Sequence, residues 1–329
     1  FLYFLSALLM IEFDAKKRGI KEAAIEVPGI KKTLKRAGHM LLPIVVIIAL
    51  LLMGFPVTDA VFYSIIATLV LSFLKKETRI GPKRFWRALE LGAKSVLPIV
   101  SACACSGIIV GIFDLTGLSL RISGIMIDLA GGKVVTVLIA TAVVVLLLGM
   151  VMPSIPAYLV SAVITAPALI KLGVPNFGAH MFIFYMACLA PITPPVALAL
   201  FTAISLTGGS LWRTGFYACL FALPAFVVPF LFTTTPEGIS LLLGGPSGGS
   251  FSAGFVIWRL VMSSLAVAGL AAGVEGWAFK KTNILERILF LCSFAALIYP
   301  TLWSDFVGLP LFAAAVTLNF ARTKLSVKK

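Results

Sequence analysis

The sequence predicts an all-α, polytopic transmembrane protein, and three observations carry that expectation. Of 329 residues, 60% are hydrophobic and only 12% charged, with a mean hydropathy of +1.09. Soluble domains hold near half apolar and about a quarter charged residues, so the excess cannot be hidden in a water-soluble core. The apolar residues fall in runs near the helix length a bilayer needs, about 20 residues for about 30 Å. Finally, the 27 Lys and Arg, against 13 Asp and Glu, gather in the connections between those runs. On so apolar a chain, clustered Lys/Arg sits in cytoplasmic loops or meets membrane lipid. A soluble enzyme and a nucleic-acid partner are thereby excluded.

In chain order, the apolar segments are 1–11, 40–55, 57–74, 96–114, 134–149, 157–170, 178–191, 195–207, 214–232, 254–274, 284–300 and 306–321. The first begins at Phe1, with no basic n-region and no small-residue cleavage site, so it is not a signal peptide. It reads as the tail of a helix that began upstream, and the chain as a piece of something longer. Segments 40–55 and 57–74 join at Pro56. Lys83 to Lys94 (KRFWRALELGAK) alternates Phe85, Trp86 and Leu89 with Lys/Arg at helical spacing. It predicts an amphipathic helix on the membrane interface rather than a solvated connector. Several segments between 134 and 207 are too short to cross alone.

Charge orients the chain. Basic clusters at 12–38, 75–94 and 280–287, with Arg213 and the tail Arg322, Lys324, Lys328 and Lys329, fall on one face by parity. Of all Lys and Arg, only Arg121, Lys133 and Lys171 fall on the other face, with Arg259 inside a helix. The first face is therefore cytoplasmic, and so is the C-terminal tail. The stretch 233–250 has no Lys or Arg and falls outside. Its Gly244 to Gly249 run lacks the Gly-Lys-Ser/Thr of a phosphate loop and reads as a flexible linker.

The residues that remain for chemistry are few. From Leu129 to Pro236 there is no Asp or Glu, which rules out a carboxylate proton relay or metal cage there. Asp114 and Asp128 sit near helix ends, without the Gly-x-Gly-Asp of an intramembrane aspartyl protease. His180 has no Gly-x-Ser-x-Gly to serve, and like His39 it reads as a packing residue. Cys103, Cys105, Cys188, Cys219 and Cys292 lie in apolar runs with no CxxC and read as small packing residues.

The unusual feature is helix breaking at membrane depth. Gly149, Pro153 and Pro156 interrupt one apolar run, and Pro191, Pro194 and Pro195 another. Each proline removes an N–H and disfavours helix at the residue before it. The freed carbonyls are tolerated in hydrocarbon only where they line a cavity or coordinate something. Two interrupted segments are the sequence pointer to a secondary-transporter site. Freed carbonyls, with the Ser154 and Thr193 hydroxyls, could replace the water shell of Na⁺, and half-helix N-termini could face an anionic substrate. The alternative is simple proline kinks or loops outside the bilayer. A second cluster, Ser101, Ser106, Gly107 and Gly111, reads as a small-residue helix-packing stripe, with a direct ligand role as its alternative.

These stretches resemble the large membrane component of TRAP (tripartite ATP-independent periplasmic) transporters, and within it the TAXI-type fused permease with a DctM-like domain. The resemblance rests on ACACSGIIVGIFDLTGLSLRIS at 102–123, LLGMVMPSIPAYLVSAVITAPALIKLGVPNFGAHMFIFYMACLAPITPPVALALF at 147–201 and SLWRTGFYACLFALPAFVVPFLF at 210–232, with LYFLSALLMIEFDAKKRGIK and ERILFLCSFAALIYP also fitting. It implies an elevator-type permease in a prokaryotic cell membrane, not an enzyme. Such a permease receives an organic solute from an extracytoplasmic binding protein and is driven by an ion gradient, generally Na⁺; no further cofactor is implied.

By motif, the second hairpin tip is Gly149 to Ala157 and the second broken helix Ile192 to Ala197. That places ion or substrate binding on Gly149, Pro153, Ser154, Thr193, Pro194 and Pro195. The moving body would be 95–207, between scaffold-like helices at 1–94 and 208–329.

Two features depart from the pattern. Pro153 is followed by Ser154, Ile155 and Pro156, so one of two usual hydroxyls is missing. No earlier related half, with its own tip and Pro-Pro break, is found. The expectation is a C-terminal half of an inverted repeat whose N-terminal permease half lies elsewhere. The competing readings are another ion-coupled transporter or exchanger, and a membrane-embedded enzyme using Asp114 or His180.

Overall fold

The computed structural model describes residues 1–20, 31, 34, 38–75, 78–235, 238–239 and 253–327. Lys21, Lys32, Lys35, Arg36, Lys76, Lys328, Lys329 and the Gly244–Gly249 linker lie outside the described residues. What is described is helical, with no β-strand among the described residues beyond an isolated Trp277–Lys281 bridge. Among the described residues, four helices are long and apolar enough to cross a membrane, or five if one bent pair is a single span. The expected all-α polytopic class is what the chain adopts.

Two compact units divide it: residues 22–98, and residues 1–21 with 99–329. In the first, a 3₁₀ turn over Gly38–Leu41 leads into α2 (Leu42–Leu52) and α3 (Val57–Ser72). Gly54 turns the chain between them at φ +83°, a conformation that costs glycine nothing. The Ser64 hydroxyl donates to the Pro43 carbonyl at 2.8 Å and ties the pair. His39, read as a packing residue, meets the Thr78 hydroxyl at 3.2 Å.

Next comes α4, Pro82–Thr116, 35 residues without interruption and so about 52 Å long. The amphipathic stretch 83–94 and the apolar segment 96–114 are therefore one helix, not two. Pro98 lies inside it; a single proline forfeits one i→i−4 bond, and no turn chemistry stands beside it to end the helix.

The larger unit begins with α1 (Leu2–Lys17) and continues from α4 through α5 (Leu118–Leu129), α6 (Val134–Gly149), α7 (Ser154–Lys171) and α8 (Asn176–Leu189). A 3₁₀ turn at Ala190–Ile192 follows, then α9 (Leu198–Thr207), α10 (Leu211–Phe221), α11 (Leu223–Thr234), α12 (Ala253–Glu275), α13 (Ile284–Ile298) and α14 (Leu302–Val327). The segment expected at 214–232 is the bent pair: α10 and α11 meet at 45°, where Pro224 enters the first turn of α11. α5 coincides with none of the expected apolar segments. It packs on α7, with Ser119 and Ser123 buried and the Ser123 hydroxyl 3.3 Å from the Ile164 carbonyl.

Two main cores hold this unit. One joins α6, α7 and α8 through Val137, Leu138, Val145, Leu169, Phe182 and Met186, and takes Phe232 from α11. Edge-to-face rings lock α8 to α11, Phe182 on Phe230 at 5.0 Å and Tyr185 on Phe232 at 5.6 Å; such pairs add about 0.5–1.5 kcal/mol each beyond area burial. The other core joins α1, α12 and α13 through Met10, Met262, Leu270, Phe294 and Leu297, with Val227 and Leu231 of α11 packed against it. α11 thus contributes to both.

Glycines let α12 approach α13 closely. A Cβ on Gly269 would come 2.8 Å from the Ser293 hydroxyl, and one on Gly273 2.9 Å from Leu291. Arg259 and Asp305 form an ion pair between α12 and α14, each side chain 5% exposed. Trp258 donates to the same carboxylate at 2.9 Å, and Arg259 also reaches the Tyr299 carbonyl at 3.3 Å.

Candidate functional site

Both proline-rich places are true breaks. α6 stops at Gly149, and α7 restarts at Ser154 after an extended Pro153. α8 stops at Leu189, tightens into the 3₁₀ turn, and leaves helix through Thr193 to Ala197 before α9 begins. Ala197 takes φ +46°, a left-handed value that a non-glycine residue seldom adopts. The Pro194–Pro195 peptide is cis.

The missing N–H groups name the carbonyls set free. Pro153 cannot donate to Gly149, nor Pro156 to Met152. Likewise Pro191, Pro194 and Pro195 cannot donate to Ala187, Ala190 and Pro191. The Ala190 carbonyl takes the Thr193 N–H instead, at 3.0 Å. On the donor side, the first turn of a helix has unsatisfied N–H groups. In α7, Pro156 has none and Ala157 bonds the Pro153 carbonyl at 3.1 Å. Ser154 and Ile155 are left to present theirs at the positive end of an 18-residue helix.

The fold brings the two breaks together. A Cβ on Gly149 would lie 2.5 Å from the Ala190 Cβ, 3.5 Å from the Ala157 Cβ and 3.8 Å from the Ala187 carbonyl oxygen. The hairpin tip therefore abuts the 3₁₀ turn, with two carbonyl-freed residues, Gly149 and Ala187, side by side. Pro153, Ser154, Thr193 and Pro194 are half-buried, and Pro195 is exposed. The Thr193 hydroxyl donates to the Leu189 carbonyl at 2.9 Å, which leaves its oxygen lone pairs available to a cation. Ser154 and Thr193 share no hydrogen bond among the described residues.

α10 covers the break from the other side. A Cβ on Gly215 would stand 2.5 Å from the Pro194 Cγ and 3.0 Å from the Leu200 Cδ1. One turn on, the Cys219 thiol points to the Ile192 carbonyl at 3.7 Å and lies beside the Thr193 side chain. Sequence reasoning singled out none of Ala187, Ala190, Gly215 or Leu200 for the site, and gave Cys219 only a packing role. Nothing local marks them; each matters through the helix it faces.

The stripe in α4 stands apart. Among the described residues, nothing lies within 4 Å of a Cβ built on Gly107 or Gly111. Ser101 is exposed, and Ser106 is buried with its hydroxyl on the Ala102 carbonyl at 2.8 Å. The His180 ring meets the Tyr158 hydroxyl at 3.0 Å through Nδ1, with Phe184 edge-on to Tyr158. Asp114 and Asp128 are both exposed. Among the described residues, no group of three or more His, Cys, Asp or Glu is placed to hold a metal ion. Any cation here would rest on carbonyl and hydroxyl oxygens, ligands that suit hard ions.

Comparison with known proteins gives one match. The family model described as "Tripartite ATP-independent periplasmic transporter, DctM component" matches residues 1–238. No curated protein and no solved structure matches the chain.

Proposed function

Because the chain belongs to the DctM family of tripartite ATP-independent periplasmic transporters, we propose that it is a TAXI-type permease component importing an organic anion, driven by a Na⁺ gradient. An extracytoplasmic solute-binding protein delivers the solute, and surrounding lipid seals the helices. The basic loops and the C-terminal tail lie in the cytoplasm of a prokaryotic cell, by the charge asymmetry. A second, related N-terminal half would complete the site with its own tip and break.

One observation carries this reading: the contact of Gly149 with Ala190 and the Ala187 carbonyl. It sets the Gly149 backbone, whose carbonyl has lost its Pro153 partner, against the freed Ala187 carbonyl, and each break also carries a hydroxyl, Ser154 at one and Thr193 at the other. Oxygens in that arrangement can exchange for the water shell of Na⁺, and the Ser154 and Ile155 N–H groups can receive a carboxylate. Movement of 95–207 as a body against 1–94 and 208–329 would carry the site across the membrane.

The test is uptake into vesicles by the assembled permease with its binding protein. Uptake should require Na⁺. Ser154→Ala and Thr193→Ala should each raise the Na⁺ concentration for half-maximal rate. Na⁺-independent uptake, or unchanged half-saturation in both variants, overturns the reading. Hydrolytic or other chemistry lost in His180→Ala, with no solute flux, would favour a membrane enzyme instead.

A further inference from the structure

We propose that α10 is a positioning element of the binding site, in which Gly215 seats Pro194 and Cys219 holds the Ile192 carbonyl; this rests on the transport reading above. α10 falls outside 95–207, yet its buried face lies on the broken helix. Gly215 and Cys219 are four residues apart and so share that face.

The fit at Gly215 is tight in a particular way. Glycine inside a helix is less stable than alanine there, so the position is not favourable for α10 itself. The space it leaves is filled from both sides of the break, by the Pro194 ring before it and the Leu200 side chain at the start of α9. A proline ring cannot swing aside as a long side chain can. Relative movement of the 3₁₀ turn and α9 is therefore felt at this one position.

Cys219 adds an anchor. In a continuous helix the Ile192 carbonyl would accept from the residue 196 N–H. The non-helical run Thr193 to Ala197 removes that donor, and the thiol takes its place at 3.7 Å. An S–H is a weak donor: strong enough to orient a carbonyl, weak enough to yield. Thr193 is flanked by the residues that Cys219 and Gly215 hold, so α10 fixes the backbone on either side of it while its hydroxyl bonds the Leu189 carbonyl.

The experiment uses the assembled permease and two readouts. A methyl at residue 215 must displace Pro194, so Gly215→Ala should raise half-saturation for Na⁺ and solute about ten-fold with the maximal rate little changed. Cys219→Val, which loses the donor and adds one carbon, should shift half-saturation the same way; Cys219→Ser, which keeps a donor at the same atom count, should retain the wild-type value. In a variant with Cys103, Cys105, Cys188 and Cys292 replaced by Ser, Na⁺ but not K⁺ should slow maleimide modification of Cys219 several-fold.

Unchanged half-saturation in both Gly215→Ala and Cys219→Val overturns the proposal, as does a fall in maximal rate alone. Should Gly215→Ala fail to fold, the Cys219 pair decides. If wild-type uptake proves independent of Na⁺, the ion reading fails, and solute half-saturation still decides the role of α10.

Discussion

Gly149 and Ala190 touch: a methyl on the first would stand 2.5 Å from the Cβ of the second. Real Cβ atoms do not pack so closely, so the hairpin tip and the 3₁₀ turn fit only because residue 149 has no side chain. Gly149→Ala must push the two breaks apart, at about 1–3 kcal/mol by overpacking. The expected outcome is a lower unfolding temperature in detergent together with weaker half-saturation for Na⁺ and solute. Adding Ala190→Gly should restore both. A Gly149→Ala protein with native uptake and native stability would contradict the contact.

The Arg259–Asp305 pair is sealed between α12 and α14. Removing one partner leaves the other charge buried alone, which costs about 3–5 kcal/mol. Asp305→Ala and Arg259→Ala should therefore lower thermal stability sharply. The double replacement Arg259→Met with Asp305→Leu should lie closer to wild type, because paired charges of this kind are often no better than well-packed apolar residues. A double variant as unstable as the singles would mean that Trp258 and the Tyr299 carbonyl, not the pairing, dominate.

Tyr158→Phe tests the packing reading of His180. The substitution deletes the hydroxyl 3.0 Å from Nδ1 and keeps the ring that Phe184 meets. One hydrogen bond contributes about 0.5–1.5 kcal/mol net, so a small stability loss is expected, with Na⁺ and solute half-saturation unmoved. A change in the pH dependence of uptake would instead give the pair a part in coupling.

Two small-residue repeats of the same spacing should behave differently. Gly269→Leu or Gly273→Leu drives a side chain into α13, where the nearest atoms already lie within 3 Å of a Cβ. Gly107→Leu or Gly111→Leu enters open space. Circular dichroism melts should show a large loss for the first pair and little for the second.

The two helix breaks were legible because proline chemistry is local. An absent N–H at 153, 156, 191, 194 and 195 withholds the helical partner from specific carbonyls, and of these the Ala190 carbonyl finds another in the Thr193 N–H. The apolar run 134–149 placed α6, and its expected and observed bounds coincide. What failed depends on neighbours. α5 hides because Ser119, Arg121, Ser123, Gly124 and Asp128 dilute its apolar face; it is held by α7, not by its own composition. The separation of 83–94 from 96–114 failed because amphipathicity reports the environment along a helix and not where the helix ends. Gly107 and Gly111 were noticed while Gly269 and Gly273 were not, yet spacing alone cannot say which stripe has a partner. Gly215 carries no signal until α10 is seen on the broken helix.

Lys17, at the end of α1, donates to the Glu275 carbonyl at 2.8 Å, a contact between residues 258 positions apart. Arg287 caps the same helix end through the Gly273 and Val274 carbonyls. During synthesis α1 emerges long before the helix it docks on. At about 5–20 residues per second, it waits for a time on the order of tens of seconds, its Met10 face without α12 to cover it. A ribosome stalled before Glu275 would leave that face to chaperones or the insertion machinery, which makes α1 a vulnerable stage of biogenesis.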